Sequence, residues 1–134
     1  MDQYGVVGHP VSQSWSPFIH GLFARQTDQA LTYRLYDIAP AQFRGEVLEF
    51  FAHGGRGLNV TVPHKEAAAD LANELSARAE RAGAVNTLML QGDHHLIGDN
   101  TDGAGLVRDL VRNLQVPVAD RRVLILGAGG AARG

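Results

Sequence analysis

Lys65 closes the stretch Asn59-Val60-Thr61-Val62-Pro63-His64-Lys65, in which strand-forming residues meet a proline and then strong helix-forming sequence. A lysine at such a junction can bind an oxyanion or exchange a proton with a reacting oxygen. The carboxyl end of a strand in an open α/β sheet is also where ligands settle. The plainer reading is a surface lysine at a helix start, although a positive charge there opposes the helix dipole slightly.

Three more polar clusters carry the same two readings. Ser12-Gln13-Ser14-Trp15-Ser16-Pro17 gathers hydroxyls between a strand end and a helix start, where Ser16 serves either as a cap or, with Ser14, as a ligand-binding pair. Asn86 stands among strand formers in Ala84-Val85-Asn86-Thr87-Leu88, so it is either a satisfied core amide or a ligand hydrogen-bonder. Asp102, in Gly98-Asp99-Asn100-Thr101-Asp102-Gly103, is either a helix-start carboxylate or a functional one. Six histidines, at positions 9, 20, 53, 64, 94 and 95, form no ligand set with a well-spaced carboxylate, and no metal is expected. With no cysteine, the chain has neither disulfides nor thiolate chemistry.

The elements that must position these groups alternate along the chain. Tyr4–Val7 reads as a strand ending at Gly8. Ser16 and Pro17 open a helix with Phe18, Ile19, Leu22 and Phe23 toward the core. Leu31–Tyr36 alternates as a strand, and Pro40 opens a helix carrying Phe43, Val47, Phe50 and Phe51. Leu58–Val62 is the strand before Lys65. Helical pieces are expected over Lys65–Leu75 and Ser76–Ala82, then a hairpin of Ala84–Leu90 and His95–Gly98 around Gly92-Asp93. Thr101–Leu114 reads as an amphipathic helix with Leu106, Leu110 and Leu114 on one face, and Arg122–Leu126 as a final strand. This alternation predicts an α/β fold: a three-layer, open, mostly parallel sheet flanked by helices.

The last strand runs into Gly127-Ala128-Gly129-Gly130-Ala131-Ala132-Arg133-Gly134, the strand and glycine turn that begin a dinucleotide-binding unit. The remainder of such a unit would need more chain, so the 134 residues are expected to be an N-terminal portion of a larger protein. Bulk properties fit a soluble domain: 45% hydrophobic residues can build a core, and a net charge of −2 gives no case for nucleic acid or an anionic membrane. Neither a signal peptide nor an apolar run of about 20 residues is present, which predicts a cytoplasmic protein.

In order and spacing, the motifs resemble the shikimate dehydrogenase family. Five stretches carry the resemblance: Ser14-Trp15-Ser16-Pro17 with His20, Asn59 to Lys65, Ala84 to Leu88, Asn100-Thr101-Asp102-Gly103 with Gly105, and Gly127 to Arg133. The resemblance implies an NADPH-dependent reduction of 3-dehydroshikimate to shikimate, on the route to chorismate and aromatic amino acids. It implies Ser14 and Ser16 on the substrate carboxylate, and Thr61, Asn86 and Asp102 on ring hydroxyls. Lys65 and Asp102 would be the catalytic pair, and Gly127, Ala128, Gly129, Gly130 and Ala131 would hold NADP.

Residues 1–103 would then form the shikimate-binding catalytic domain, 104–120 a linking helix and connection, and 121–134 the start of the NADP-binding domain. Gly21 departs from the asparagine that the family often has after the histidine of the serine motif. The runner-up is a quinate/shikimate dehydrogenase using NAD, against which the Ser14-x-Ser16 pair leans. A reading of another class is a substrate-binding module without turnover. The partner is a small molecule, and the protein itself is expected to be a monomer or homodimer.

Overall fold

The computed structural model describes residues 1–134. Six strands form one sheet: β1 (Asp2–Gly8), β2 (Leu31–Asp37), β3 (Gly55–Val60), β4 (Glu74–Leu75), β5 (Thr87–Gln91) and β6 (His95–Asp99), in the order β2-β1-β3-β5-β6-β4. The β2-β1-β3 run and the β4-β6 pair are parallel, while β5 is antiparallel to both neighbours. The sheet is therefore mixed and mostly parallel, as the alternation of elements predicts. Gly92, with φ of 62°, turns the β5–β6 hairpin at the expected place.

Side-chain alternation along β2 decides which helix lies on which face. Tyr33 points to one face and stacks on His20 of α1 (Ser16–Gln26), with ring centroids 4.2 Å apart. Tyr36 points to the other and meets Phe50 of α2 (Phe43–Ala52) edge-on. On that second face Phe43, Val47 and Phe51 pack with Val60, Leu88 and Leu96 into the main core. They recur at helical spacing, which is why the period was legible. The same core takes Leu71 of α3 (Lys65–Leu71) and Ala79 of α4 (Ala77–Ala82).

Several sequence expectations are corrected. No residue of α1 is buried, and Phe18, Ile19, Leu22 and Phe23 all stand exposed because no second element covers that helix. Pro40–Gln42 is a single 3-10 turn before α2 rather than its first turn. The strand leading to Lys65 stops at Val60, since Thr61 to His64 turn so that the His64 amide donates to the Thr61 carbonyl at 2.9 Å. The helix beginning at Lys65 ends at Leu71, and Glu74–Leu75 pairs with β6 instead.

The helix after β6 is α5 (Asp102–Arg108), continued by a π-helical turn over Asp109–Asn113, with Leu106 and Leu114 exposed. Arg122–Leu126 forms no strand: no neighbouring strand supplies its ladder partners, and Val123 to Leu126 are exposed. The glycine turn leads into a short helix, α6 (Gly130–Arg133). No helix is long and apolar enough to cross a membrane.

Candidate functional site

Lys65 is the first residue of α3, and its position follows from how the turn before it is pinned. His64 is almost fully buried, stacked on Phe43 with centroids 4.5 Å apart, and its Nε2 lies 2.7 Å from the Ile38 carbonyl. A carbonyl only accepts, so Nε2 carries the proton in this contact. The Thr61 amide donates to the Val7 carbonyl at 2.9 Å, and the Val85 amide to the Lys65 carbonyl at 2.8 Å. Lys65 is thereby clamped between the ends of β1 and the approach to β5.

Its ammonium forms an ion pair with the Asp102 carboxylate through Oδ2. The Lys65 side chain is only 14% exposed and that of Asp102 34%, so the pair is half-sheltered from water. Asp102 does not cap α5. It is the first helical residue, and its amide donates to Asn100 Oδ1 at 3.0 Å. Asn100, itself buried, donates through Nδ2 to the Ala84 carbonyl at 3.0 Å, tying the start of α5 to the segment before β5.

One residue earlier, Asp99 accepts from Arg78 Nε at 2.7 Å, Ser76 Oγ at 2.5 Å and the Asn100 amide at 2.8 Å. The Arg78 guanidinium, helped by these other donors, holds the Asp99 carboxyl well below the usual carboxylate range.

Asn86 is engaged at both ends of its amide. Nδ2 donates to Thr101 Oγ1 and to Asp102 Oδ1, each at 2.8 Å, and Oδ1 accepts from the Thr101 amide at 3.0 Å. The backbone N–H can only donate, so it fixes which end of the amide faces it. Asn86 is thus a connector to Asp102, not a core amide.

The serine loop between β1 and α1 is tethered to the end of β2. His9 Nδ1 lies 2.7 Å from Asp37 Oδ1, and the Val11 amide donates to Asp37 Oδ2 at 3.4 Å. The His9 contact is the main reason that the Asp37 carboxyl titrates lower than an ordinary aspartate. Ser16 is not the helix cap, because Trp15 holds that position without a side-chain bond. Ser14 Oγ instead accepts from the Ser16 amide at 3.2 Å and donates to Ser16 Oγ at 3.0 Å. The two hydroxyls form a contiguous polar pair.

Ser14, Ser16, Thr61 and Asn86 line one groove of about 400 Å³, together with Asn59 and Gln13. That size suits a small metabolite. Asn86 joins this groove to the Asp102–Lys65 pair, so the six residues singled out from the sequence converge. A larger groove of about 490 Å³ opens on the α1 face, lined by Tyr4, His20, Leu31 and Met89, and it contains none of those six residues, whereas the smaller groove holds four of them. Chemistry therefore favours the smaller groove. With the Asp102–Lys65 pair that Asn86 ties to it, the groove can hold an anion on hydroxyl donors, hold neighbouring hydroxyls on amide and carboxylate groups, and move a proton at Lys65.

The glycine turn lies against the same lysine. A Cβ built at Gly130 would come within 3.2 Å of Lys65 Cβ and 3.4 Å of Ala84 Cβ. Gly127 has φ of +120°, a conformation that strains any side chain. Open space surrounds the Cβ positions of Gly127 and Gly129, leaving their backbone free to approach a phosphate.

Sequence motifs alone do not single out Tyr33, Thr87, Asn100 or the Arg78–Asp99 pair, nor do they give Asn59 a role of its own. Asn59 carries the same signal as Asn86, an asparagine in a strand, and the others carry none.

The chain matches, over residues 6–88, the family described as shikimate dehydrogenase substrate binding domain. It is 60% identical over 134 residues to the shikimate dehydrogenase (NADP(+)) of Aeromonas salmonicida, covering all of this chain and 49% of that protein. Among solved structures it is similar to the Ael1 enzyme from Pseudomonas putida, at 44% identity and a TM-score of 0.91, over 99% of this chain and 49% of that one. The shikimate 5-dehydrogenase from Thermus thermophilus, solved in complex with NADP(H) and shikimate, matches with a TM-score of 0.90 and 36% identity. That match covers 99% of this chain and 49% of the other. The chain spans about half the length of the curated relatives it matches.

Proposed function

This chain belongs to the shikimate dehydrogenase family, and from that premise we propose that its full-length protein reversibly reduces 3-dehydroshikimate to shikimate with NADPH. The observation that carries the reading is the Lys65–Asp102 pair, linked through Asn86 to the groove that Ser14, Ser16 and Thr61 line. In this assignment the substrate carboxylate rests on the two serine hydroxyls. Thr61, Asn86 and Asp102 hold the ring hydroxyls and orient the carbonyl toward Lys65.

Reducing a ketone adds a hydride to carbon and a proton to oxygen. NADPH, when bound on Gly127, Ala128, Gly129, Gly130 and Ala131, supplies the hydride. The Lys65 ammonium stabilises the negative charge growing on the carbonyl oxygen and transfers one proton to it, forming the new hydroxyl. The neutral amine left behind recovers its proton from solvent. Asp102 accepts a hydrogen bond from Lys65, so it aims the donor and balances its charge when substrate is absent. The shelter around Lys65 strengthens these electrostatic effects relative to open water. In the oxidative direction the same lysine takes the hydroxyl proton. We place the protein in the cytoplasm.

Initial rates of the full-length protein with shikimate or quinate, each with NADP or NAD, test the assignment. Shikimate with NADP is expected to give the highest kcat/KM. Preference for quinate with NAD would favour the quinate/shikimate alternative, and turnover in none of the four combinations would overturn the dehydrogenase reading.

A further inference from the structure

Beyond the residues already assigned, a line of side-chain hydrogen bonds crosses the sheet and ends on the Asp102 carboxylate. Tyr33 Oη donates to Asn59 Oδ1 at 2.7 Å, and Asn59 Nδ2 donates to Thr87 Oγ1 at 3.4 Å. Thr87 Oγ1 donates to Asn86 Oδ1 at 3.0 Å, and Asn86 Nδ2 donates to Asp102 Oδ1 at 2.8 Å. Lys65 pairs with the other carboxylate oxygen, Oδ2. Resting on the dehydrogenase assignment above, we propose that Thr87 and Tyr33 are positioning residues, which set the Asn86 and Asp102 side chains through this directed chain.

Register and chemistry together make the chain directional. Asn59 of β3 and Thr87 of β5 are directly paired residues, so their side chains meet on one face without distortion. The Tyr33 hydroxyl presents its proton to Asn59 Oδ1, which leaves Asn59 its NH2 group to donate onward. The threonine hydroxyl accepts that bond and passes its own single proton to Asn86. Reversing any one link would set two donors or two acceptors against each other.

Burial pushes the Tyr33 phenol well above its ordinary value, with the Ser16 side chain acting in the other direction. Tyr33 therefore keeps its proton throughout the working range and remains a donor. Chains aligned in this way polarise each other, so the Asp102 end gains from each link. Stacking on His20 holds the tyrosine ring in place from α1.

Asn86 retains its Thr101 contacts when Thr87 loses its hydroxyl, so the effect should be graded rather than total. Full-length enzyme with NADP and shikimate is the system. Wild-type turnover is measured first, since its absence would defeat the dehydrogenase reading and with it the proposal, whereas an active wild type confines any later failure to the hydrogen-bond chain. With an active wild type, Thr87→Val should lower kcat/KM for shikimate about tenfold, the order of one or two lost hydrogen bonds. KM for NADP should stay within about twofold, and Thr87→Ser, which keeps the hydroxyl, should restore shikimate kcat/KM.

Tyr33→Phe, one link farther out, should lose about threefold. Wild-type kcat/KM in Thr87→Val, or a loss that Thr87→Ser fails to restore, would overturn the proposal. A Thr87→Val protein that does not fold passes the decision to Tyr33→Phe. Unchanged shikimate kcat/KM in that variant would then overturn it.

Discussion

Replacing Asn100 should damage the site through the backbone it holds, and the structure sets the size of the damage. Asn100 is 2% exposed and makes two side-chain hydrogen bonds: it donates to the Ala84 carbonyl and accepts from the Asp102 amide, both at 3.0 Å. Asn100→Ala deletes both. Each bond is worth about 1 kcal/mol net, and leaving a buried carbonyl without a donor adds about 1–2 kcal/mol, for a total of about 3–4 kcal/mol. At an m-value of about 2 kcal/mol per M, the urea midpoint should fall by about 1.5–2 M with m unchanged.

Asn100→Asp separates the two contacts. It keeps an acceptor for Asp102 but sets a carboxylate oxygen against the Ala84 carbonyl, in a site that burial already makes hostile to charge. The introduced carboxyl should titrate above its unfolded value of about 3.9. The penalty is therefore full at pH 7 and shrinks as pH falls toward that value, where a protonated carboxyl can donate to Ala84. A loss below about 0.5 kcal/mol in Asn100→Ala would be no more than an ordinary surface change, and it would mean that Asn100 does not hold this backbone. So would wild-type stability of Asn100→Asp at pH 7.

Two further outcomes follow from the same geometry. The Asp99 carboxyl lies below its usual range in the folded state, so the stability it confers is present above about pH 4 and lost as pH falls through the lowered native value. Denaturation across pH should accordingly show wild type exceeding Asp99→Asn at pH 7, with the gap closing in acid; a constant gap would contradict the assignment. Gly130→Val should push the glycine turn away from Lys65 and Ala84, because even a Cβ there meets both at 3.2 and 3.4 Å. Steady-state kinetics should show KM for NADP raised by about tenfold or more, while shikimate affinity measured by direct titration stays within about twofold; equal weakening of both would argue against a cofactor-side role.

The six candidate site residues could be named together because their motifs, in order and spacing, resemble those of one family; taken alone, each motif left a plainer reading open. An asparagine among strand formers, a lysine just after a proline and paired serines before a helix are local signals that only mark candidates. The core was legible for a related reason, since Phe43, Val47 and Phe51 repeat at the helical period. Tyr33, Asn59 and Thr87 were not found together because they meet only once the strand order β2-β1-β3-β5 is known.

Periodicity misled where it had no partner to satisfy it. Phe18 and Leu22 have the spacing of a buried face, yet they are exposed because nothing lies over α1. Arg122–Leu126 has the composition of a strand and no ladder to join. Glu74–Leu75 is the reverse case, a two-residue strand too short to leave any pattern, created by its neighbour β6.

The central claim is that Lys65 delivers the proton in a ketone reduction, while the serine and amide groups supply most of the substrate binding. Lys65→Ala in the full-length protein tests it most directly, with kcat for NADP-dependent shikimate oxidation measured beside shikimate Kd by titration. In this variant kcat should fall by about 10²–10⁴-fold, the range of a lost general acid–base group, with Kd changed by less than about tenfold. Near-normal turnover, or a loss confined to shikimate binding, would contradict it.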